Sequence, residues 1–284
     1  MAMATRTYPV GIQTFSDIIE KQYVYVDKTD LVYRLIRKYK YVFLSRPRRF
    51  GKSLLSSTLH AYFSGKKELF KNLAIESLEK DWNTYPVLHF DMSVLKNCPI
   101  SHFAEKFNSI LQPYEEQAGI FTPYTTPGTR LKEIIEKTAR KTGKKVVIII
   151  DEYDAPLLDV LHEKEKLETV RNVMQEFFAP IKICDEHCHF AFITGITKFS
   201  QLSIFSTINN LANISMEPEF AAICGITKEE LTTTLSQDIE EMAQHNGVSK
   251  SEMEQMLTDN YDGYHFSRNC PDLFNPFSLM HAFA

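Results

Sequence analysis

The stretch RPRRFGKS, Arg46 to Ser53, lies between a short apolar run, Tyr41-Val42-Phe43-Leu44, and a helix-like segment, Leu54 to Phe63. A strand, a turn ending in Gly-Lys-Ser and a helix form the context in which such a turn cradles phosphates. Gly51 lets the backbone approach a phosphate where a Cβ would collide. The first turn of the following helix offers unbonded N–H groups and the positive end of a dipole, both suited to a polyanion. Lys52 reaches toward the β- and γ-phosphates, and the Ser53 hydroxyl is placed to ligate Mg²⁺. The pattern GxxxxGK[ST] would put glycine where Arg46 stands; here Pro47 stiffens the loop, and Arg46, Arg48 and Arg49 load it with cations. The expected nucleotide-binding stretch is therefore Arg46, Pro47, Arg48, Arg49, Phe50, Gly51, Lys52, Ser53 and Leu54. The competing reading is a solvated basic turn before an ordinary helix.

A second stretch supports the first. Lys144-Lys145 lead into Val146-Val147-Ile148-Ile149-Ile150, followed by Asp151-Glu152-Tyr153-Asp154. A β-branched run of this kind reads as a strand buried on both faces of a parallel sheet. Acids at its C-terminal end stand where ligands bind in an open α/β sheet. This is the Walker B arrangement. Asp151 would hold Mg²⁺ directly or through water, and Glu152 would orient and deprotonate the attacking water. The competing reading is an acidic helix start, with Asp154 before Ala155-Pro156 as its cap.

Composition bounds the rest. The chain has 284 residues, 44% hydrophobic and 24% charged, with a net charge of −4. That suffices for one large α/β domain with a smaller appendage. Nothing in this charge demands nucleic acid, although a local basic patch is compatible with it. The start, MAMATRTYPV, lacks an apolar signal core, and no run approaches the ~20 residues of a spanning helix. A cytoplasmic location is the default expectation, with no membrane partner. The five cysteines, at 98, 184, 188, 224 and 270, fit reduced thiols. Cys184, Cys188 and His189 lack the second ligand pair of a metal site.

Along the chain, Asp27 or Thr29 is expected to cap a helix over 30–40, in a segment that either folds over the adenine or covers the sheet edge. A short helix is expected near 66–72 and a second strand over 86–91, whose end, Asp91-Met92-Ser93, reaches the site or forms a turn cap. Helical patterning follows at 100–118 and 127–142, with a loop over 122–128 between them. A long amphipathic helix is expected over 164–183. His189 to Gly195 reads as another buried strand. In P-loop ATPases with an additional strand, the strand between those carrying the two motifs ends in a polar sensor near the γ-phosphate. Thr194 fits that place, with Thr197 and Lys198 beyond it; a plain strand end and turn is the alternative. A weak fifth strand is expected over 212–217. Beyond about residue 218, Thr227 and Glu230 spell a capping box, with helices over 228–245 and 250–258. The chain ends in an apolar pattern, Leu273 to Ala284, that wants a partner. A fragment of a longer protein is the preferred reading, and a helix packed on its own domain the other.

These residues together resemble a family of bacterial AAA-ATPase-like proteins, often fused to a C-terminal PD-(D/E)XK nuclease-like domain. The resemblance rests on Pro9-Val10-Gly11-Ile12-Gln13, Tyr25-Val26-Asp27-Lys28-Thr29 and SRPRRFGKSL from Ser45 to Leu54. It continues with IIIDEYDAP from Ile148 to Pro156, ITGITKFS from Ile193 to Ser200, YDGY from Tyr261 to Tyr264 and NPFSL from Asn275 to Leu279. The arginine-rich loop without a first glycine matches this family. The resemblance implies a P-loop NTPase core, α/β with a mostly parallel five-stranded sheet flanked by helices, over residues 1–217 with an N-terminal extension. It also implies a small helical lid over 218–284, with a winged-helix shape as one form and truncation at the C-terminal end expected; in longer members a nuclease-like domain follows the NPFSL segment, and no nuclease residues are assigned. The expected activity is that of an ATP-binding, Mg²⁺-dependent ATPase serving as motor or switch for an attached or partner effector, such as a nuclease, alone or as a homo-oligomer. In it Lys52, Glu152 and Thr194 are the catalytic set, and Ser53 and Asp151 the metal ligands. Arg46, Arg48, Arg49 or a neighbouring subunit would supply an arginine finger. The rivals are a nucleotide-dependent scaffold with little hydrolysis and a P-loop kinase, the latter opposed by a glutamate placed to activate water.

Overall fold

A computed structural model describes residues 6–120, 126–197, 204 and 210–284. Of the loop expected over 122–128, residues 122–125 lie outside them, as does Lys198, while Pro127 and Gly128 already belong to the following helix. In chain order the elements are α1 (Phe15–Glu20), α2 (Thr29–Lys38), β1 (Tyr41–Ser45), α3 (Lys52–Phe63), α4 (Ala74–Leu78), β2 (Val87–Asp91) and α5 (Ile100–Ala118). Then come α6 (Pro127–Thr142), β3 (Val146–Asp151), α7 (Ala155–Asp159), α8 (Lys164–Ile183), β4 (Cys188–Gly195) and β5 (Ala212–Asn213). The last part holds β6 (Ile226–Thr227), α9 (Lys228–Thr234), α10 (Ser236–Asn246), α11 (Lys250–Tyr261), β7 (Leu273–Phe274) and α12 (Pro276–Phe283).

The first five strands form one parallel sheet in the order β2-β3-β4-β1-β5. Every residue of β3 is buried, as its β-branched composition requires. Because side chains alternate across a strand, Val146, Ile148 and Ile150 enter one core with Phe107, Ile134 and Phe177 of α5, α6 and α8. Val147 and Ile149 enter the other with Leu35 of α2 and Leu55, Leu59 and Phe63 of α3. Each such side chain contributes roughly 1.5–3 kcal/mol of burial, so helices on both faces follow from a strand that is apolar on both. The insertion of β4 between β1 and β3 is the additional-strand order that the sequence predicts, and the fold is that of a P-loop NTPase-like α/β protein.

The weak strand expected over 212–217 is only two residues long. The Asn213 carboxamide oxygen accepts the Ser215 N–H at 3.1 Å and turns the chain into a 3₁₀ segment, Ile214–Met216. The helix expected over 228–245 breaks at Leu235. Hydroxyls of Thr232 and Thr233 there donate back to the carbonyls of Lys228 and Glu229, a competition that shortens helices. Asp27 accepts the Thr29 N–H at 2.8 Å and, with its other oxygen, the Ala74 N–H at 2.7 Å. Thr29 accepts Ile75 N–H at 3.1 Å. The Asp27-Lys28-Thr29 run thus opens α2 and caps α4 together.

A third apolar cluster gathers Leu231, Leu235, Ile239, Met253, Leu257, Leu279 and Met280 around Val24 from the N-terminal segment. Capping boxes at Thr227/Glu230 and Ser249/Glu252 start α9 and α11. Phe220, Ile223 and Cys224 belong instead to the α2–α3 side of the sheet core. Tyr8 ties the N-terminal segment to this cluster: its hydroxyl donates to Asp238 at 2.6 Å and its ring stacks on Phe283. Through Leu279 and Met280, the apolar face of α12 is covered by its own chain.

Candidate nucleotide site

The ends of β1 and β3 bring the two motifs together. Gly51, with φ at 92°, is the N-cap residue of α3, a left-handed conformation that a side chain would strain. Lys52 follows at the helix start and is only 6% exposed. Its ammonium donates to the carbonyls of Arg46 at 3.1 Å and Pro47 at 3.0 Å, so the loop curls around its own lysine. Burial pulls the Lys52 pKa down, while Asp151 and Glu152 oppose that shift. The Asp151 carboxyl is pushed up to about 6 by burial, against the opposing pull of the Ser53 hydroxyl, the Glu152 N–H and Lys52. The Glu152 N–H donates to Asp151 at 3.0 Å. Mg²⁺ is ordinarily held by one or two protein oxygens plus phosphates and water, and the Ser53–Asp151 pair beside the loop fits that requirement. Among the described residues no group of three or more His, Cys, Asp or Glu is placed to hold a metal. Cys184 and Cys188 are buried thiols, pushed up to about 11 and about 12.

Glu152 has φ at 49°, a strained conformation for a side chain of this kind, and such strain concentrates at functional sites. Its carboxylate accepts from Lys96 at 2.6 Å. Next to it, Asp154 does not cap α7 with its side chain. It accepts the N–H groups of Ile196 at 3.0 Å and Thr197 at 2.6 Å, fixing the turn after β4. Asp91 accepts the Ser93 N–H at 2.8 Å, so the end of β2 is a turn cap.

Three of the expected site residues, Arg46, Phe50 and Thr194, have buried side chains. Arg46, 2% exposed, is enclosed by backbone carbonyls. It donates to Ser45, Ser215, Phe220 and Ala221, and its guanidinium lies 4.1 Å from the Phe266 ring centre. These carbonyls engage its two Nη atoms, while its buried Nε meets no partner among the described residues, so its side chain anchors the loop to the segment over 215–221. Phe50 is fully buried between Tyr264 and Phe266, and a Cβ on Gly225 would come within 2.6 Å of its ring. Thr194 stands at the predicted strand end, but it is fully buried and its hydroxyl donates to the Leu44 carbonyl at 2.8 Å. That hydrogen bond ties β4 to β1. Pro47 and Leu54 are half-buried, and Arg48 and Arg49 are exposed.

A cavity of about 520 Å³ opens over the loop, lined by Arg48, Arg49, Gly51 to Leu55 and Glu152. Its far wall comes from the N-terminal segment, including Ile12, Val24 and Tyr25. This is the volume of a small-molecule site, lined by both cationic and apolar side chains. Lys28, Lys96 and Phe277 also line it, and none of the three carried an expected role. Lys28 is paired with Glu230 at 2.5 Å, a contact from the N-terminal segment to α9. No spacing in the sequence marks Lys96; Lys28 and Phe277 lie in stretches that carry the resemblance without a chemical signature of their own.

A model of the family described as predicted AAA-ATPase matches residues 9–205. A protein of Azotobacter chroococcum mcd 1, described as an uncharacterized protein in the vnfD 5′ region, is 34% identical over 282 residues. The match covers 98% of this chain and 52% of the relative, so the chain spans about half the length of the curated relative it matches. Among the described residues, no helix is long and apolar enough to cross a membrane.

Proposed function

The chain belongs to the AAA-ATPase-like family of predicted AAA-ATPases, and from that premise we propose that it binds ATP with Mg²⁺ and hydrolyses it as the switch or motor of an effector. The observation that carries this is that Lys52 and Ser53 of the loop and Glu152, which follows β3, line one cavity, with Asp151 at the end of β3 adjoining Glu152. In this reading the Gly51–Ser53 backbone and Lys52 hold the phosphates, Lys52 exchanging the Arg46 and Pro47 carbonyls for phosphate oxygens. Ser53 and Asp151 hold Mg²⁺. When the metal is bound, these two residues would place its positive charge beside the charge that develops on the phosphoryl group. Glu152 takes the proton of the attacking water. Arg48 and Arg49 are the local arginines free to face a phosphate, and a neighbouring subunit is the other source. Thr194 acts from below, holding Leu44 and thus the strand that carries the loop.

The residues after about 218 serve as a lid whose movement against the core completes and dries the site. The effector is a partner or a further domain, for which a nuclease-like domain is the candidate the family suggests. The second reading, a nucleotide-dependent scaffold, is favoured by one observation: Glu152 is already engaged by Lys96. Phosphate release by the unmodified chain and by Glu152→Gln separates the two. Turnover that falls at least a hundredfold in the variant, with ATP binding retained, supports the ATPase. Equal, negligible release by both supports the scaffold.

A further inference from the structure

The stretch Asn275-Pro276-Phe277-Ser278-Leu279 has no part in the mechanism above, yet it is built against the phosphate loop. The Arg49 guanidinium lies 4.2 Å from the centre of the Phe277 ring, and both residues line the cavity. Asn275, 8% exposed, caps α12 by accepting the N–H groups of Phe277 at 3.1 Å and Ser278 at 3.2 Å. Its other side-chain atom faces the Arg48 carbonyl at 3.5 Å. Two residues further on, Leu279 and Met280 are buried in the third cluster. The first turn of α12 is therefore a joint: one side touches the loop, the other the core of the C-terminal helices. Arg49 is exposed and sits at φ 64°; among the described residues its guanidinium meets an aromatic face and no carboxylate. A guanidinium bonds phosphate through charge-assisted, forked hydrogen bonds, stronger than its stacking on a ring in water.

We propose that Phe277 is a positioning residue of the nucleotide site: its ring competes with a bound triphosphate for the Arg49 guanidinium, so that phosphate arrival frees the first turn of α12. The proposal rests on nucleotide binding at this loop. Through it the occupancy of the loop is read by the helices beyond β6, and the ring lowers apparent affinity by what the stacking is worth.

The test titrates a fluorescent, non-hydrolysable ATP analogue with Mg²⁺ into the unmodified chain, Phe277→Leu, Arg49→Ala and the double variant. Phe277→Leu is expected to bind about two- to five-fold more tightly, the equilibrium equivalent of an exposed cation–π contact. Arg49→Ala is expected to bind more weakly, and the double variant to match it, because the ring acts only through Arg49. Binding by Phe277→Leu equal to or weaker than that of the unmodified chain overturns the proposal, as does a gain that persists without Arg49. Loss of binding by the unmodified chain would instead strike the nucleotide reading on which it rests. The unmodified protein supplies a second readout. The ¹⁵N-labelled Arg49 side-chain N–H signal, assigned by its absence in Arg49→Lys, is expected to leave its ring-shielded position on saturation with the analogue. A signal that stays in place contradicts the competition.

Discussion

Lys96 donates to Glu152 at 2.6 Å at the edge of the cavity, and both side chains are 38% exposed. A carboxylate oxygen held this way must give up its lysine before it can take a proton from water. A pair this exposed is worth at most about 1 kcal/mol. Lys96→Met is therefore expected to raise kcat by about two- to five-fold with KM little changed, measured by steady-state phosphate release. A fall in kcat would show that Lys96 supports Glu152 in place of restraining it.

The backbone of Glu152 carries a separate prediction. A side chain in the left-handed region costs about 1 kcal/mol relative to glycine. Glu152→Gly and Glu152→Ala both remove the carboxylate and its lysine contact, but only glycine relaxes φ. The glycine variant is expected to be more stable than the alanine variant by about 1 kcal/mol, read from urea unfolding, with both inactive. Equal stability would mean that φ at this position relaxes without cost.

Arg46 is expected to be a stability residue. Its removal strands the carbonyls of Ser215, Phe220 and Ala221 and leaves a cavity against Phe266. Arg46→Ala should cost about 3 kcal/mol and lower the unfolding midpoint by roughly 6–12 °C. Arg46→Lys should recover little of this, since an ammonium cannot reproduce the fork. A thermal scan of both variants checks it; a midpoint unchanged in Arg46→Ala would contradict the anchoring role.

A histidine pair makes stability pH-dependent. Nδ1 of His60 on α3 faces Nδ1 of His89 on β2 at 3.2 Å, so one ring must offer a lone pair. Burial lowers both pKa values, that of His89 to about 4, helped by His60. Because the unfolded chain takes up protons near pH 6.5 and the folded pair does not, stability is complete above that pH and falls as pH drops toward 4. The loss attributable to His89 is on the order of 2–3 kcal/mol. Unfolding midpoints between pH 7.5 and 5 should slope less in His89→Gln than in the unmodified chain; parallel slopes would contradict this.

Much of the scaffold is legible because its signals are local. The run Val146 to Ile150 can be satisfied only by apolar neighbours on both faces, and the capping boxes at Thr227 and Ser249 need only four consecutive residues. That the phosphate loop and Asp151 stand at one end of the sheet follows from fold order, since the loop follows β1 and Asp151 ends the parallel strand β3. Side-chain direction does not read out in this way. Arg46 and Phe50 belong to a phosphate-loop pattern, but where they point is set by Ser215, Phe266 and Gly225, remote in sequence. Thr194 holds the predicted position, and its hydroxyl is claimed by Leu44 across the sheet. Lys96 follows a turn with no distinguishing spacing, so only the folded chain brings it to Glu152.

The central claim is tested most directly by calorimetric titration of ATP with Mg²⁺ into the unmodified chain and Lys52→Ala. Saturable binding by the first, weakened at least tenfold in the second, is the predicted result. Heat that is absent from the first, or unchanged in the second, would contradict a phosphate site at Gly51-Lys52-Ser53.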